Sequence, residues 1–179
     1  MEIVTARLRL RSARPDDLAA MHAVLSDPRA TRWWSTPPHA TRDQTAAWLD
    51  SMLANGPDQP DFVVEREGLV IGKAGFWRLP EVGYILHPDH WGQGLAHEAV
   101  SAAVDHVLAT RPLDQLTADV DPENRASIRL LERLGFVRTG FAERTLKVGD
   151  EWKDSLYYAL TRRDWRARRD TSTFAGLRP

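Results

Sequence analysis

Two short groups of residues are of a type and spacing that could do chemistry. The first is His90-Trp91-Gly92-Gln93-Gly94-Leu95-Ala96, set between the apolar run Val82-Gly83-Tyr84-Ile85-Leu86 and a helical pattern that continues to Leu108. A strand, a glycine-rich turn and a helix start, in that order, form an anion cradle. The first N–H groups of a helix have no internal partners, and its macrodipole places roughly half a positive charge there. Two glycines let a phosphate approach the backbone, because no Cβ stands in the way. The turn therefore reads as the pyrophosphate site of a coenzyme, although an ordinary strand-to-helix turn has the same residues. A P-loop would need a Gly-Lys-Ser/Thr ending and a dinucleotide fingerprint a third glycine; neither is present, and His97 stands at the third place.

The second group lies on the pattern Pro122 to Leu134. Leu131 and Leu134 share one face, and steps of three and four back along it reach Ser127 and Asn124. Arg125, Arg129 and Glu132 fall on the other side, where charge can stay in water. Two polar side chains thus continue a buried stripe. Asn124 could instead cap the helix, but Asp121 before Pro122 is placed for that role. Ser127 could simply bond a carbonyl of its own helix.

These groups need a scaffold, and the chain is long enough for one. Its 179 residues can bury most of their unfolded surface without staples. With 24 Lys and Arg against 25 Asp and Glu, the net charge of -1 exerts no general pull toward nucleic acid or membrane. The absence of cysteine excludes disulfides, thiolate metal sites and a cysteine nucleophile. Met1-Glu2-Ile3 leads directly into strand-like sequence and no run approaches the ~20 apolar residues of a membrane span, so a soluble cytoplasmic protein is expected.

The elements follow from periodicity. Thr5 to Arg11 alternates as a half-exposed strand, and Pro15 opens a helix that carries Leu18, Met21, His22 and Leu25 and ends at Asp27-Pro28. Thr41 and Gln44 form a capping box for a helix with Trp48, Leu49, Met52 and Leu53, stopping at Asn55-Gly56-Pro57. Between these helices, Trp33 and Trp34 either pin a Pro-rich loop to the core or line a pocket. Phe62 to Arg66 and Leu69 to Trp77 read as a hairpin about Glu67-Gly68, and Glu81 to Leu86 as the strand before the glycine turn. Leu113 to Val120 is a strand, the Pro122 helix closes on Gly135, and Phe136 to Phe141 is a strand. Leu146 to Lys153 and Ser155 to Leu160 bracket a polar turn at Gly149-Asp150. Arg162 to Arg169 is a short basic helix, and 170–179 a loose tail after a single domain over 1–169. The whole is an α/β chain, a mixed, mostly antiparallel sheet of about seven strands with helices on both faces.

The turn from Trp91 to Ala96 resembles the Arg/Gln-x-x-Gly-x-Gly/Ala pattern of the GNAT N-acetyltransferase superfamily, with Gly94 and Ala96 matching and Trp91 departing from it. Asn124-x-x-Ser127-x-x-x-Leu131-Glu132-x-x-Gly135-Phe136 is similar to the second signature of the branch that holds the ribosomal-protein N-terminal acetyltransferases. Thr5-x-Arg7-Leu8-x-Leu10-Arg11, Glu98-Ala99 and the strand before Trp165 extend the likeness from Thr5 to Trp165.

The resemblance implies acetyl-coenzyme A as co-substrate and no metal. It implies pantetheine on the backbone of Tyr84, Ile85 and Leu86, and pyrophosphate on the turn Trp91, Gly92, Gln93, Gly94, Leu95 and Ala96. It also implies an Asn124 contact to the pantetheine arm and a Ser127 hydroxyl at the leaving thiolate. Direct attack of an amine on a thioester needs no enzyme nucleophile, but the ammonium proton must leave. A protein α-amino group, with pKa about 7.7–8.0, is ~10–15% free base at neutral pH, whereas a lysine-like amine costs about 4–5 kcal/mol to deprotonate. Glu81 is the leading base and Glu143 the second, though a strand-end carboxylate is as readily a solvated surface group. His87, His90 and His97 lack the companions of a metal site. The acceptor, a protein N-terminus or small amine, would meet Trp33 and Trp34, in a monomer or homodimer. A non-catalytic acyl-coenzyme A sensor is the rival reading; a nucleotide-binding protein of another fold is a third.

Overall fold

The computed structural model describes residues 1–56 and 58–175. It holds one eight-stranded sheet, in the order β1-β2-β3-β4-β5-β6-β8-β7. The opening strand expected over Thr5 to Arg11 is instead two short strands, β1 (Glu2–Val4) and β2 (Arg9–Arg11). They are antiparallel, joined by a turn in which Thr5 N donates to Leu8 O at 2.9 Å. That split raises the count above seven. The first helical layer is α1 (Leu18–Leu25), a single turn α2 (Pro28–Thr31) and α3 (Arg42–Ala54). The capping box of Thr41 and Gln44 forms as expected, while Pro57 of the expected stop lies outside the described residues.

The hairpin of β3 (Asp61–Arg66) and β4 (Leu69–Arg78) turns on Glu67 and Gly68, both at positive φ (52° and 83°). Next come β5 (Glu81–Leu86), α4 (Leu95–Thr110), β6 (Gln115–Val120) and α5 (Arg125–Leu134). Gly135 at φ 92° ends α5. Two long strands follow, β7 (Val137–Val148) and β8 (Glu151–Thr161), which absorb the three shorter segments read from the pattern. Their register shifts at Arg138/Gly140 and Ala142/Leu146 break the alternation that would have marked one strand. The closing helix α6 runs over Arg162–Ala175, so the stretch expected as a tail is helical as far as Ala175; 176–179 lie outside the described residues.

Side chains alternate across β5, and that alternation divides the molecule. Val82, Tyr84 and Leu86 pack with Leu95, Val100 and Leu131 on the face of α4 and α5. Ile85 packs with Met21, Val24, Leu25 and Ala30 on the face of α1 and α2. Between β5 and β6, which run parallel, the register holds a single pair, Glu81 with Thr117. The two strands then diverge, leaving the backbone of Tyr84 to Leu86 without a strand partner on that side.

Candidate active site

The cradle after β5 is held from several directions. The Trp91 indole N–H donates to Leu86 O at 2.9 Å, tying the turn back to the end of the strand. Trp91, where Arg or Gln was expected, thus anchors the loop. Gly92 and Gly94 sit at φ 71° and 75°, conformations that cost an L residue. Arg66 donates to Gln93 Oε1 at 2.6 Å and Arg7 to Gln93 O at 2.9 Å. Glu98, one turn into α4, accepts from the Thr5 hydroxyl at 2.6 Å and from Arg7 N at 2.9 Å. Burial pushes the Glu98 carboxyl up, but the bonds from Thr5 and Arg7 outweigh it and hold the pKa below its usual value. Glu98 N donates to Gly94 O at 3.1 Å, so the N–H groups ahead of it face outward with no helical acceptor.

They face a cleft of about 490 Å³ between α4 and α5, lined by Tyr84, Ile85, Leu86 and the turn. Arg29, Arg129 and Arg133 add cationic walls. Arg129 was expected in open water, because helical periodicity does not show that α4 and α5 leave a gap. His90 lines the cleft and stacks edge-on with His87 at 6.3 Å. Among the described residues no three His, Asp or Glu side chains are grouped to hold a metal.

A second cavity adjoins the cleft, a chamber of about 880 Å³. Trp33, Trp34, Trp48 and Trp77 form its aromatic wall, and Glu81 and Asp119 its acidic one. Because Glu81 pairs with Thr117, Asp119, two residues further along β6, points to the same side. Both carboxylates are reachable by water yet set in a concave wall. Lost hydration, then the neighbouring Asp119 charge, pushes Glu81 above the usual carboxylate range. Lost hydration also raises Asp119, against a bond donated by the Ser155 hydroxyl at 2.8 Å. Ser155 in turn lies 2.6 Å from the Thr145 hydroxyl. Asp119 is invisible as a candidate in the sequence, since only the β5–β6 pairing brings it beside Glu81. Glu143, the second base candidate, is exposed on β7 and lines neither cavity. Beneath Trp34 lies a buried ion pair, Lys73 Nζ to Asp61 Oδ1 at 2.6 Å.

The cleft and the chamber share Trp33, Trp34, Tyr84, Asn124 and Ser127. Trp34 fulfils both roles set out for it, packing on the α1 cluster and lining the cavities. Asn124 corrects the sequence reading of the helix start. It is the N-cap of α5, its Oδ1 accepting from Ser127 N at 3.1 Å, and the helix begins at Arg125. Asp121 instead accepts from Glu123 N at 2.8 Å, closing a turn through Pro122 before the helix. The cap occupies Asn124 Oδ1 and leaves its NH₂ group available. Among the described residues Ser127 Oγ makes no bond to its own helix.

The chain resembles known proteins over nearly its full length. The family model described as an acetyltransferase (GNAT) domain matches residues 7–137. An uncharacterised N-acetyltransferase, p20, of Bacillus licheniformis is 30% identical over 173 residues, covering 91% of this chain and 97% of that one. The ribosomal protein uS5 alanine N-acetyltransferase of Escherichia coli is 36% identical over 84 residues, covering 47% of this chain and 43% of that one. The crystal structure of a GNAT-family acetyltransferase from Bacillus anthracis superposes with a TM-score of 0.78 at 25% identity, covering 91% of this chain and 99% of that one. With its eight-stranded sheet, its glycine turn at the head of α4 and a family match spanning both, the chain belongs to the GNAT acetyltransferase family and is an N-acetyltransferase.

Proposed function

We propose that the protein transfers an acetyl group from acetyl-coenzyme A to a primary amine by direct attack in a ternary complex. One observation carries this reading: a cradle for phosphate and a chamber with two carboxylates adjoin and share Ser127 in their walls. The N–H groups of Gly92 to Ala96, with Arg129 and Arg133, would hold the coenzyme's pyrophosphate. The open backbone of Tyr84 to Leu86 would pair with its pantetheine, and the Asn124 amide would bond the same arm. Trp91 already takes the Leu86 carbonyl, which leaves Tyr84 and Ile85 the larger share of that pairing.

The bound coenzyme supplies an activated acyl carbon; the chain supplies orientation and proton handling. Glu81, with Asp119 beside it, takes the proton from the ammonium in the chamber. The free amine then forms the C–N bond as the C–S bond breaks, its nitrogen sheds a second proton to water as it becomes the amide, and the Ser127 hydroxyl donates a hydrogen bond to the departing thiolate. Raised carboxyl pKa values suit an α-amino group, which needs only a modest base. The named relatives include a ribosomal-protein alanine acetyltransferase and a spermidine N(1)-acetyltransferase, so the acceptor classes are a protein N-terminus and a small amine. Among the described residues no helix is long and apolar enough to cross a membrane. We place the activity in the cytoplasm.

Thermal unfolding with saturating acetyl-coenzyme A, with ATP and NAD as controls, tests the coenzyme. A ligand at ~100 times its Kd adds about 2.7 kcal/mol, or roughly 5–10 °C for this size of domain. Thiol release against N-terminal peptides and small amines then identifies the acceptor. A shift with ATP or NAD alone, or no shift at all, would overturn the pyrophosphate assignment.

A further inference from the structure

Tyr84 carries a hydroxyl that the fold does not explain. Its ring lies on the α4–α5 side of β5 and lines both the cleft and the chamber. A phenylalanine would fill the same volume. The Tyr84 Oη is sealed from water and takes no hydrogen bond of good geometry from the described residues. Burying such a group unpaired costs stability, so its presence points to a partner that arrives from outside or moves into place. The polar group that faces it is the Ser127 side chain. Burial pushes the phenol up to about 12, and the Ser127 hydroxyl is near enough to draw it partly back down.

Resting on the acetyl-transfer reading, we infer that Tyr84 is a positioning residue for Ser127. When a thioester occupies the cleft, the Tyr84 O–H donates to Ser127 Oγ and directs the serine proton toward the sulfur. The two hydroxyls form a short cooperative chain in a water-poor place, where each bond strengthens the next. Neither group gives up its proton. A phenol at about 12 cannot protonate a thiolate whose acid has a pKa near about 8.5. Two protons leave the nitrogen, one to Glu81 before attack and one to water as the amide forms; one of them reaches the sulfur through water and the other passes to solvent. Neutral throughout the working pH range, Tyr84 adds no limb of its own to the pH profile.

A double-mutant cycle of Tyr84→Phe, Ser127→Ala and the pair tests this. Tyr84→Phe is expected to lower kcat about tenfold, the worth of one hydrogen bond to a developing charge. KM for acetyl-coenzyme A should stay within about twofold and the unfolding midpoint should hold or rise, because an unpaired buried hydroxyl has been removed. In the Ser127→Ala background, Tyr84→Phe should change nothing further. Full activity of Tyr84→Phe, or effects that simply multiply in the pair, would overturn the role of Tyr84 alone. No turnover by the unaltered protein would overturn the acetyl-transfer reading and this inference with it. Should Tyr84→Phe fail to fold, 3-fluorotyrosine labelling of the three tyrosines keeps the test open. The Tyr84 fluorine signal must then move on adding acetyl-coenzyme A, and move less in Ser127→Ala; a signal that ignores both ends the proposal.

Discussion

The cleft against α4 and the chamber against α3 share Ser127 but are made in different ways. The cleft is built largely from consecutive backbone: one strand, one turn with two glycines at positive φ, one helix start. The chamber is built from side chains that no two neighbouring elements supply, with tryptophans from three segments and carboxylates from two strands. A backbone site tolerates most side-chain changes and fails on a conformational one. A side-chain site does the reverse. The same contrast suits a family in which a shared co-substrate is met by fixed geometry and a varying acceptor by replaceable residues.

The largest effect should come from the side-chain half. Glu81→Gln is expected to lower kcat by about 10²–10⁴, the range of a positioned general base, while leaving the acetyl-coenzyme A thermal shift intact. The acid limb of kcat/KM should lie above the ordinary carboxylate range, because lost hydration raises Glu81. Stability carries the opposite sign. The folded carboxyl holds its proton more tightly than the unfolded one, so its contribution is lost as pH rises through its folded pKa. At pH 7 Glu81→Gln should therefore keep or raise the unfolding midpoint; a marked fall would show Glu81 to be structural.

The backbone half should respond to Gly94→Ala. The added methyl meets nothing closer than Arg7 at 3.6 Å, so the cost is conformational, about 1–2 kcal/mol at φ 75°. The midpoint should drop, and calorimetry should show weaker acetyl-coenzyme A binding. Undiminished binding would move the phosphate away from this turn. Asn124→Ala, which removes a helix cap at the junction, should cost about 1 kcal/mol and roughly 2–4 °C in midpoint. An unchanged midpoint would contradict the cap. Smallest is Arg129→Ala. A few-fold rise in the Kd of acetyl-coenzyme A is expected at low salt, shrinking as salt shortens the screening length to about 8 Å near physiological strength. A salt-independent change would remove Arg129 from the anion wall.

The same contrast explains what was legible in the sequence. Gly92, Gly94 and the strand before them were readable because strand, turn and helix start are local signals. Glu81 was readable as a carboxylate at a strand end, but Asp119 required knowing which strand lies beside β5. Arg129 was assigned to water because a helix pattern reports its own buried stripe and not a gap to a neighbour. Asn124 was denied its cap because Asp-Pro is itself a strong start signal; here it makes the turn before the helix. Irregular β7, with Arg144 at φ 52°, hid its length because a shifted register breaks the period of two.

The divergence of β5 from β6 has a kinetic consequence. A sheet joined there by one register pair has a slot through it, and the two cavities share Tyr84 at its edge. If acetyl-coenzyme A arrives first, its pantetheine fills the slot as a ninth strand and gives the chamber a floor with the acetyl group set in it. If the amine arrives first, it meets an opening with no floor. Substrate addition should therefore be ordered, with acetyl-coenzyme A leading, and initial velocities should give intersecting lines in which CoA competes with acetyl-coenzyme A alone. Amide exchange over Glu81 to Leu86 would then time each loading event without any turnover, slowing when the slot is filled and quickening when it empties.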